Sequence, residues 1–238
     1  MTTHSGSRWP KKPRELTPDE VRIRDDWMKV WLDEHMTKNP PLRLVDNFNQ
    51  RYALRSARPG TKTLEIGAGI GAHCHWEDLS AQEYYCCELR EELAVKTKER
   101  FPGARTTVGD CQEGLDFPDG YFDRVLAIHV LEHLPNLPKA LAEIHRLLNP
   151  SGEFSVVIPC EGGFGYDIAR RVSSKRLFER RYDWDYYDYI ATEHVSTARE
   201  LLDELDARFS VEHRRFFPAF VPAIDLNLVI GLTLTRKP

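Results

Sequence analysis

Residues 63–76 read TLEIGAGIGAHCHW, in which a short apolar run meets an acid and then three glycines at alternate positions. Glycine permits positive φ and leaves space for a ligand close to the backbone, so the stretch predicts a tight turn from a strand into a helix near 71–80. The turn alone is ambiguous, because Gly67, Gly69 and Ala72 also fit the dinucleotide-binding fingerprint G-x-G-x-x-A. A nucleotide cradle, a metal site and a simple turn are the alternatives.

The histidines of this stretch, His73 and His75, flank Cys74 and suggest a metal site. Neighbouring residues on one helical turn point in different directions, and the sequence offers no evident fourth ligand, so we expect no metal here. The chain has five cysteines and no C-x-x-C pair. That pattern is typical of reduced thiols in a reducing compartment rather than of a disulfide framework.

Short apolar strands and amphipathic helices alternate from residue 61 onwards. Five strands are predicted in the segments KTLEIG, EYYCCEL, ARTTVGD, FDRVLAIHV and EFSVVIP. This alternation favours a Rossmann-like α/β fold, a mostly parallel sheet with helices on both faces. The last two strands, SVEHRRFF and NLVIGLTLTRK, are separated by a loop, so we expect them to form an antiparallel pair at the edge of a seven-stranded sheet.

The chain divides into three predicted segments. Residues 1–16, rich in Ser, Pro and Lys, are expected to form a flexible tail. Residues 17–59 are expected to form an N-terminal helical cap. Residues 60–238 would then form the α/β domain, with a lid-like insertion at 160–195.

Acidic residues stand at the ends of three successive predicted strands, at Glu65, Glu88 and Asp110. The carboxyl ends of parallel strands lie along one edge of a sheet, where ligands bind, so these carboxylates are expected to surround one pocket. Glu65 suits a cationic amino group and disfavours a pyrophosphate, Glu88 suits ribose hydroxyls, and Asp110 suits an adenine amino group. The ligand that combines these groups is S-adenosyl-L-methionine rather than NAD.

The same motifs resemble those of a known family, the class I S-adenosylmethionine-dependent methyltransferases, especially their UbiE-like branch. The similar segments are LEIGAGIG, CCEL, GDCQEGLDFPDGYFDRVLAIHVLEHL and LNPSGEFSVVIP. The resemblance implies S-adenosyl-L-methionine as the cofactor, with the glycines beneath its methionine part, Glu88 on the ribose, and Asp110 and Cys111 beside the adenine. The cofactor-binding residues that it implies are Glu65, Gly67, Ala68, Gly69, Gly71, Glu88, Leu89, Asp110, Cys111 and His129.

Three histidines are candidates for catalysis. Methyl transfer from a sulfonium is an in-line displacement, so the protein mainly has to align the acceptor and exclude water. An alcohol or phenol acceptor also benefits from a general base, whereas a neutral amine does not. His133 is the candidate base, with His129 and His194 as alternates. Alternatively, His133 starts a helix and hydrogen-bonds its neighbours, and Glu132 is expected to be structural.

Substrate choice is expected to depend on the N-terminal helices and on residues 160–195. In that segment six basic residues precede a cluster of tyrosines and a tryptophan. They form either a lid for an anionic or ring-bearing substrate or an amphipathic helix with a solvated basic face. The predicted substrate-binding residues are His73, Tyr166, Arg170, Glu193 and His194.

Composition narrows the class of protein further. The net charge of -4 provides no global basic field, so we expect no nucleic-acid partner. The longest apolar stretches are too short to span a bilayer, and the polar N-terminus lacks a secretory signal, so a cytoplasmic monomer or homodimer without stable membrane association is expected.

The predicted function is biosynthetic methylation of a small-molecule acceptor at oxygen or nitrogen, for example a sugar or a natural-product intermediate. The alternatives are an NAD(P)-dependent oxidoreductase, for which the sequence has no Tyr-x-x-x-Lys, and a non-catalytic cofactor-binding protein, in which decayed glycines or lost acids would be expected.

Overall fold

A seven-stranded sheet forms the centre of the molecule, for which the computed structural model describes residues 8–30 and 40–237. The strands are β1 (Lys62–Ile66), β2 (Glu83–Glu88), β3 (Arg105–Val108), β4 (Phe122–Ile128), β5 (Leu148–Pro159), β6 (Phe209–Phe217) and β7 (Val229–Arg236). Their order is β3-β2-β1-β4-β5-β7-β6. Strands β1 to β5 pair in parallel, and β7 is antiparallel to both β5 and β6. The predicted fold, with its late antiparallel pair, is therefore confirmed.

Helices cover both faces of this sheet. They are α1 (Pro18–Val30), α2 (Pro40–Ala53), α3 (Glu91–Arg100), α4 (Leu137–Leu147), α5 (Phe164–Val172), α6 (Ser174–Glu179), α7 (Tyr186–Glu193) and α8 (Ala198–Arg208). Leu137, Leu141 and Ile144 recur on one side of α4 and are fully buried. Burying each of these side chains contributes roughly 1.5–3 kcal/mol, which anchors α4 to the sheet.

Strand β1 shows how the two faces differ. Successive residues of a strand point to opposite sides of the sheet. Leu64 and Ile66 pack in the same core as α4 and α8. Glu65, which lies between them in sequence, points to the other side, where Tyr84 packs with the end of α2.

The segment after β1 differs from the helix predicted near 71–80. It forms a series of turns with a short 3-10 helix at His73–His75. Gly71 has φ of 72°, in the left-handed region, so the right-handed helix cannot pass through it. A buried network described below then holds the rest of the segment in place of helical hydrogen bonds.

Residues 8–16 pack against the domain, which differs from the flexible tail expected for 1–16. Trp9 is buried, and its Nε1 donates a hydrogen bond to Glu204 in α8. Lys11 Nζ donates to Val195 O and pairs with Glu200. Residues 1–7 lie outside the described residues.

Helix α1 begins at a reciprocal cap, in which Glu20 N donates to Thr17 Oγ1 and the Glu20 carboxylate accepts from Thr17 N. Its described part ends at Val30, since residues 31–39 lie outside the described range. Among residues 8–30 and 40–237, no helix has both the length and the apolar content needed to cross a bilayer.

Residues 160–195 hold the three short helices α5 to α7 and pack against α1. Phe178 of α6 is fully buried, with ring centroids 5.3 Å from Trp27 of α1 and 4.9 Å from Tyr189 of α7. Such aromatic contacts are worth about 0.5–1.5 kcal/mol each beyond the area that they bury. The two regions predicted to set substrate choice therefore meet in one aromatic cluster.

Candidate active site

The glycine loop after β1 lies against the carboxylate at the end of β2. Gly69 N donates a hydrogen bond of 2.9 Å to Glu88 Oε2, and Arg90 N donates to Glu88 Oε1 at 3.1 Å. Gly69 has φ of 58°, and a Cβ added there would meet no atom of the described chain within 4 Å. The loop therefore presents backbone with open space beside an oriented carboxylate, and we call this arrangement the cofactor cradle after its predicted role.

The third strand end completes this side of the site. Gly109 N donates to Glu88 O, so Asp110 directly follows a backbone contact with β2. The Asp110 carboxylate accepts from Gln112 N at 2.8 Å, which fixes its direction. Leu89, which directly follows Glu88, is 64% exposed. Glu88, Leu89 and Asp110 therefore stand at or just beyond the ends of the paired strands β2 and β3, and their cofactor-binding role stays a prediction.

Glu65 does not line this pocket. Its carboxylate is buried, accepts a hydrogen bond of 2.9 Å from the Tyr84 hydroxyl, and lies within 4.8 Å of the thiols of Cys74 and Cys86. Burial raises the pKa of Glu65, against the opposing effect of His73. The geometry corrects the predicted role of Glu65 as the partner of a cationic amino group, because its carboxylate points into the protein beneath the loop.

His73, predicted to bind substrate, belongs to a buried network. Its Nδ1 is 2.7 Å from Gln50 Oε1 in α2, and its Nε2 is 2.8 Å from Glu77 Oε1. Arg124 of β4 pairs with the same Glu77 oxygen at 2.8 Å, and both of these side chains are 1% exposed. Burial opposes the charge of Glu77, but the hydrogen bond from His73 and the charge of Arg124 lower its pKa to about 2. His73 therefore has a structural role, and the substrate-binding prediction is corrected.

We call His73, Glu77 and Arg124 the interior network. Arg124 Nε donates to Ser56 Oγ and its Nη2 donates to Ala53 O, at the end of α2. The network therefore joins α2, β4 and the turn segment after β1, which explains why that segment needs no helix.

His129 ends β4 in a left-handed conformation, with φ of 53°. Its Nε2 lies 2.9 Å from Asn49 Nδ2 in α2, and its Nδ1 lies 3.3 Å from Glu132 Oε1. Because an amide nitrogen only donates, the His129 ring proton is on Nδ1, facing Glu132. Burial opposes the charge of Glu132, but the His129 hydrogen bond and the neighbouring imidazoles lower its pKa to about 2.

His133 and His194 form a second group with Glu132, which we call the histidine cluster. The two imidazole rings are perpendicular, with centroids 4.9 Å apart. His133 Nδ1 donates to Glu193 O at 2.8 Å, and His194 Nδ1 lies 2.7 Å from Glu161 Oε2. Desolvation lowers the pKa of His133, Glu132 opposes this effect, and His194 adds to it. The predicted catalytic residues His129, His133 and His194 therefore lie at one place.

Arg170 is already paired, which changes the role expected of it. Both of its terminal nitrogens donate to Glu161, at 2.7 and 2.8 Å, and its guanidinium lies 4.8 Å from the centre of the Tyr166 ring. Glu161 neutralises the charge of Arg170. In turn, the two hydrogen bonds from Arg170 orient the Glu161 carboxylate, which accepts from His194. The prediction that Arg170 binds an anionic substrate directly is corrected on this ground.

Other basic residues of the segment are also paired locally. Arg171 pairs with Asp167 at 2.9 Å, and Lys175 pairs with Glu179. These pairs favour the solvated basic face over a lid that binds an anion, although Ile168, on the same helix as Arg171, is exposed rather than packed inward.

The two parts of the site touch each other. A Cβ added at Gly67 would lie 2.6 Å from Val130 Cγ2, so the glycine loop packs directly on the H-V-L-E-H turn that follows β4. The carboxyl ends of parallel strands thus place the cradle at Glu88 and the histidine cluster on one edge of the sheet.

Sequence reasoning missed Asn49, Glu161 and Arg124. Glu161 stands just past the end of β5, the same position that singled out Glu88 and Asp110, so its signal was present. Arg124 is a charge within an apolar strand, which indicates a buried partner without naming it. No local pattern marks Asn49, whose role depends on how α2 docks.

A separate groove of about 610 Å³ lies between α2 and the end of β6. It is lined by Leu44, Asn47, Phe48, Arg51, Tyr52, Arg55, Arg215, Phe217 and Phe220. In the described chain none of the predicted site residues lines this groove, so it is distinct from the site.

The sequence matches known proteins in this same region. Residues 64–156 match the methyltransferase domain family. The chain is 25% identical over 189 residues to the ubiquinone/menaquinone biosynthesis C-methyltransferase UbiE of Bordetella avium, covering 74% of this chain and 66% of that protein. It spans no more than 66% of the length of the curated relatives that it matches.

Solved structures share the fold. The PH0226 protein of Pyrococcus horikoshii OT3 superposes with a TM-score of 0.65 at 16% identity, covering 89% of this chain and 99% of that one. The N-methyltransferase NodS of Bradyrhizobium japonicum, solved with S-adenosyl-L-homocysteine, gives a TM-score of 0.61 at 14% identity, with coverages of 91% and 98%. At these identities the likeness establishes the fold alone.

The sheet order and the sequence match together support the class I S-adenosylmethionine-dependent methyltransferases as the family of the domain that includes residues 64–156. The predicted family, in its UbiE-like branch, and the predicted cofactor, S-adenosyl-L-methionine, are confirmed by this match.

Proposed function

We propose that this chain transfers a methyl group from S-adenosyl-L-methionine to a small-molecule acceptor bound at the histidine cluster. The observation that carries the proposal is the close approach of Gly67 to Val130, because it shows that the glycine loop packs on the turn bearing Glu132 and His133. The cofactor supplies a methyl group on a sulfonium, which is activated for displacement without further help from the protein.

The cofactor side is assigned to four residues. Glu88 would hold the ribose hydroxyls, and its orientation by Gly69 N and Arg90 N supports this role. Leu89 would cover the adenine ring and Asp110 would accept from its amino group. The open space at Gly69 supports close passage of the ligand over the loop.

The acceptor side is assigned to the histidine cluster. His133 is 38% exposed, and its Nε2 has no hydrogen-bond partner among the described residues, while its Nδ1 proton is held by Glu193 O. A ring oriented in this way can take up a proton at Nε2. A proton acceptor is useful for an alcohol or phenol and unnecessary for a neutral amine, so this arrangement favours methylation at oxygen.

Calorimetric titration with S-adenosyl-L-methionine and, separately, with NAD tests the proposal at its first step. We expect saturable 1:1 binding of the former and no heat from the latter. Turnover is then followed by methyl transfer from labelled cofactor to panels of phenols, sugars and amines. Binding of NAD alone, or transfer restricted to amines, would contradict the proposal.

A further inference from the structure

The histidine cluster holds three ligand atoms that face one another. One carboxylate oxygen of Glu132 and one ring nitrogen each of His133 and His194 lie within 4.8 Å of one another. His133 Nε2 is 4.0 Å from Glu132 Oε1. We propose that these three residues bind a divalent transition-metal ion, because two imidazoles and one carboxylate are a donor set typical of Zn²⁺ and non-haem Fe²⁺.

The hydrogen bonds of the two imidazoles support ligation. His133 Nδ1 donates to the Glu193 carbonyl, and His194 Nδ1 donates to the Glu161 carboxylate. Each ring therefore donates from Nδ1, which leaves Nε2 as the nitrogen available to a metal ion. Histidine ligands in proteins usually donate their other ring N–H to a carbonyl or carboxylate in this way. Arg170 in turn holds Glu161 with two hydrogen bonds.

A second observation, independent of the two imidazoles, is the buried carboxylate of Glu132. Its side chain is 1% exposed, and Oε2 has no hydrogen-bond partner within the described part of the chain. Buried carboxylate oxygens are normally paired with a donor or a cation. Glu132 Oε1 accepts from His129 Nδ1 at 3.3 Å, and His133 Nε2 lies 4.0 Å from the same oxygen. Oε2 is left without a donor, and a cation between this carboxylate and the two imidazoles would supply its partner. Ligands on one ion lie about 3–4 Å apart at bond lengths of about 2.1 Å, so modest side-chain rotations close the site.

Two other groups of this molecule lack these features. In the interior network both nitrogens of His73 already have partners. Glu65, Cys74 and Cys86 also lie within 4.8 Å of one another, but Glu65 accepts from Tyr84, and the two thiols contact each other at 3.6 Å. The hydrogen bond with Cys74 and burial raise the pKa of Cys86, whereas a thiol must lose its proton to bind a metal.

The role of the ion deepens the proposed function and rests on it. Three protein ligands would leave a coordination position for an acceptor hydroxyl, and the 38% exposure of His133 would give that acceptor access. The ion lowers the pKa of that hydroxyl, whose proton passes to solvent. The oxygen lone pair then forms the new C–O bond as the C–S bond breaks, and sulfur keeps that electron pair. Acidification by the ion would replace proton uptake by a free imidazole.

Cobalt(II) titration of the chelator-treated chain tests the site directly, followed by visible absorption. We expect one equivalent to bind with weak d–d bands and without the intense near-ultraviolet band of a thiolate ligand. His194→Ala and His133→Ala should each weaken binding at least about tenfold. The matched controls are His75→Ala, an exposed histidine outside the cluster, and Cys74→Ser, both of which should bind as the wild type does.

Calorimetry with S-adenosyl-L-homocysteine separates this proposal from the proposed function, because the cofactor cradle contains none of the three ligands. The site is supported if a variant still binds S-adenosyl-L-homocysteine and has the circular dichroism spectrum of the wild type but no longer binds cobalt. Absence of cobalt binding to the wild type, binding unchanged in His194→Ala, or a thiolate band removed by Cys74→Ser would overturn it. Methyl transfer that is undiminished after chelation would overturn the catalytic part.

Discussion

The interior network and the histidine cluster use the same residue types for different ends. Both combine histidine with a glutamate whose side chain is 1% exposed. In the interior network every ring nitrogen of His73 has a partner, and Arg124 balances the charge of Glu77. In the histidine cluster each ring has a hydrogen-bond partner at Nδ1, and at Nε2 it has none among the described residues.

The difference shows what distinguishes a structural histidine from a functional one. Residue type and burial are shared, so neither identifies function here. What differs is the number of donor and acceptor atoms that remain without partners among the described residues. Saturated groups stabilise a fold, whereas oriented groups with a free lone pair are available for a ligand or proton.

Removing the carboxylate of the interior network should have the largest effect. In Glu77→Gln the buried Arg124 guanidinium loses its counter-charge, which typically costs about 3–5 kcal/mol. We expect a loss of that size in the free energy of unfolding, measured in urea. Asp119→Asn is the matched control, because Asp119 is 81% exposed in its pair with Arg146 and should contribute about 1 kcal/mol or less. A loss below that of the control would show that the network does not stabilise the fold.

Acid should weaken the same network. The pKa of Glu77 is lowered from 4.5 to about 2, so its ionised form stabilises the fold above pH 4.5 and this contribution disappears as the pH falls to about 2. The shift corresponds to about 3 kcal/mol. We expect the stability difference between wild type and Glu77→Gln to shrink over this pH window. A difference that is constant from pH 6 to pH 2.5 would contradict the assignment.

The sequence predicted the sheet, and the position of the acids at its edge, because both depend on local order along the chain. Alternating strands and helices specify a parallel sheet, and acids at strand ends must then meet at one edge. Glu88 and Asp110 are placed by that rule alone. The histidine motif after β4 is placed by the same rule.

Glu65 and His73 show where this reasoning stops. A residue beside a strand end faces one side of the sheet or the other, and the side chains of both Glu65 and His73 are buried. Glu65 meets Tyr84 across β2, and His73 meets Gln50 across α2. These partners are set by tertiary docking, which no spacing in the sequence records. Tertiary docking also explains why residues 71–80 do not form the predicted helix. Glu77 pairs with Arg124 and His73 bonds to Gln50, and both contacts hold these side chains in the interior.

Substitution in the histidine cluster should change turnover rather than stability. For His133→Ala we expect kcat to fall about a hundredfold, because the group that assists proton removal or holds the ion is lost. The side chain is 38% exposed, so the free energy of unfolding should change by about 1 kcal/mol or less. Affinity for S-adenosyl-L-homocysteine should stay within a factor of about two of the wild type. Normal turnover would remove His133 from the acceptor side, and His75→Ala provides the control.

Substitution in the cofactor cradle should give the opposite pattern, with a smaller effect. Glu88→Ala removes the carboxylate that Gly69 N and Arg90 N orient, and we expect affinity for S-adenosyl-L-homocysteine to fall at least about tenfold, or about 1.4 kcal/mol. Glu83→Ala, at the other end of β2 and paired with exposed Arg105, should bind as the wild type does. Because Glu88 makes no contact with the histidine cluster among the described residues, cobalt binding should be unchanged in Glu88→Ala. If Glu88→Ala instead binds the cofactor as tightly as the wild type does, the Glu88 carboxylate has a structural role. It would then stabilise the glycine loop, as Glu77 stabilises the interior network, and other residues would bind the ribose.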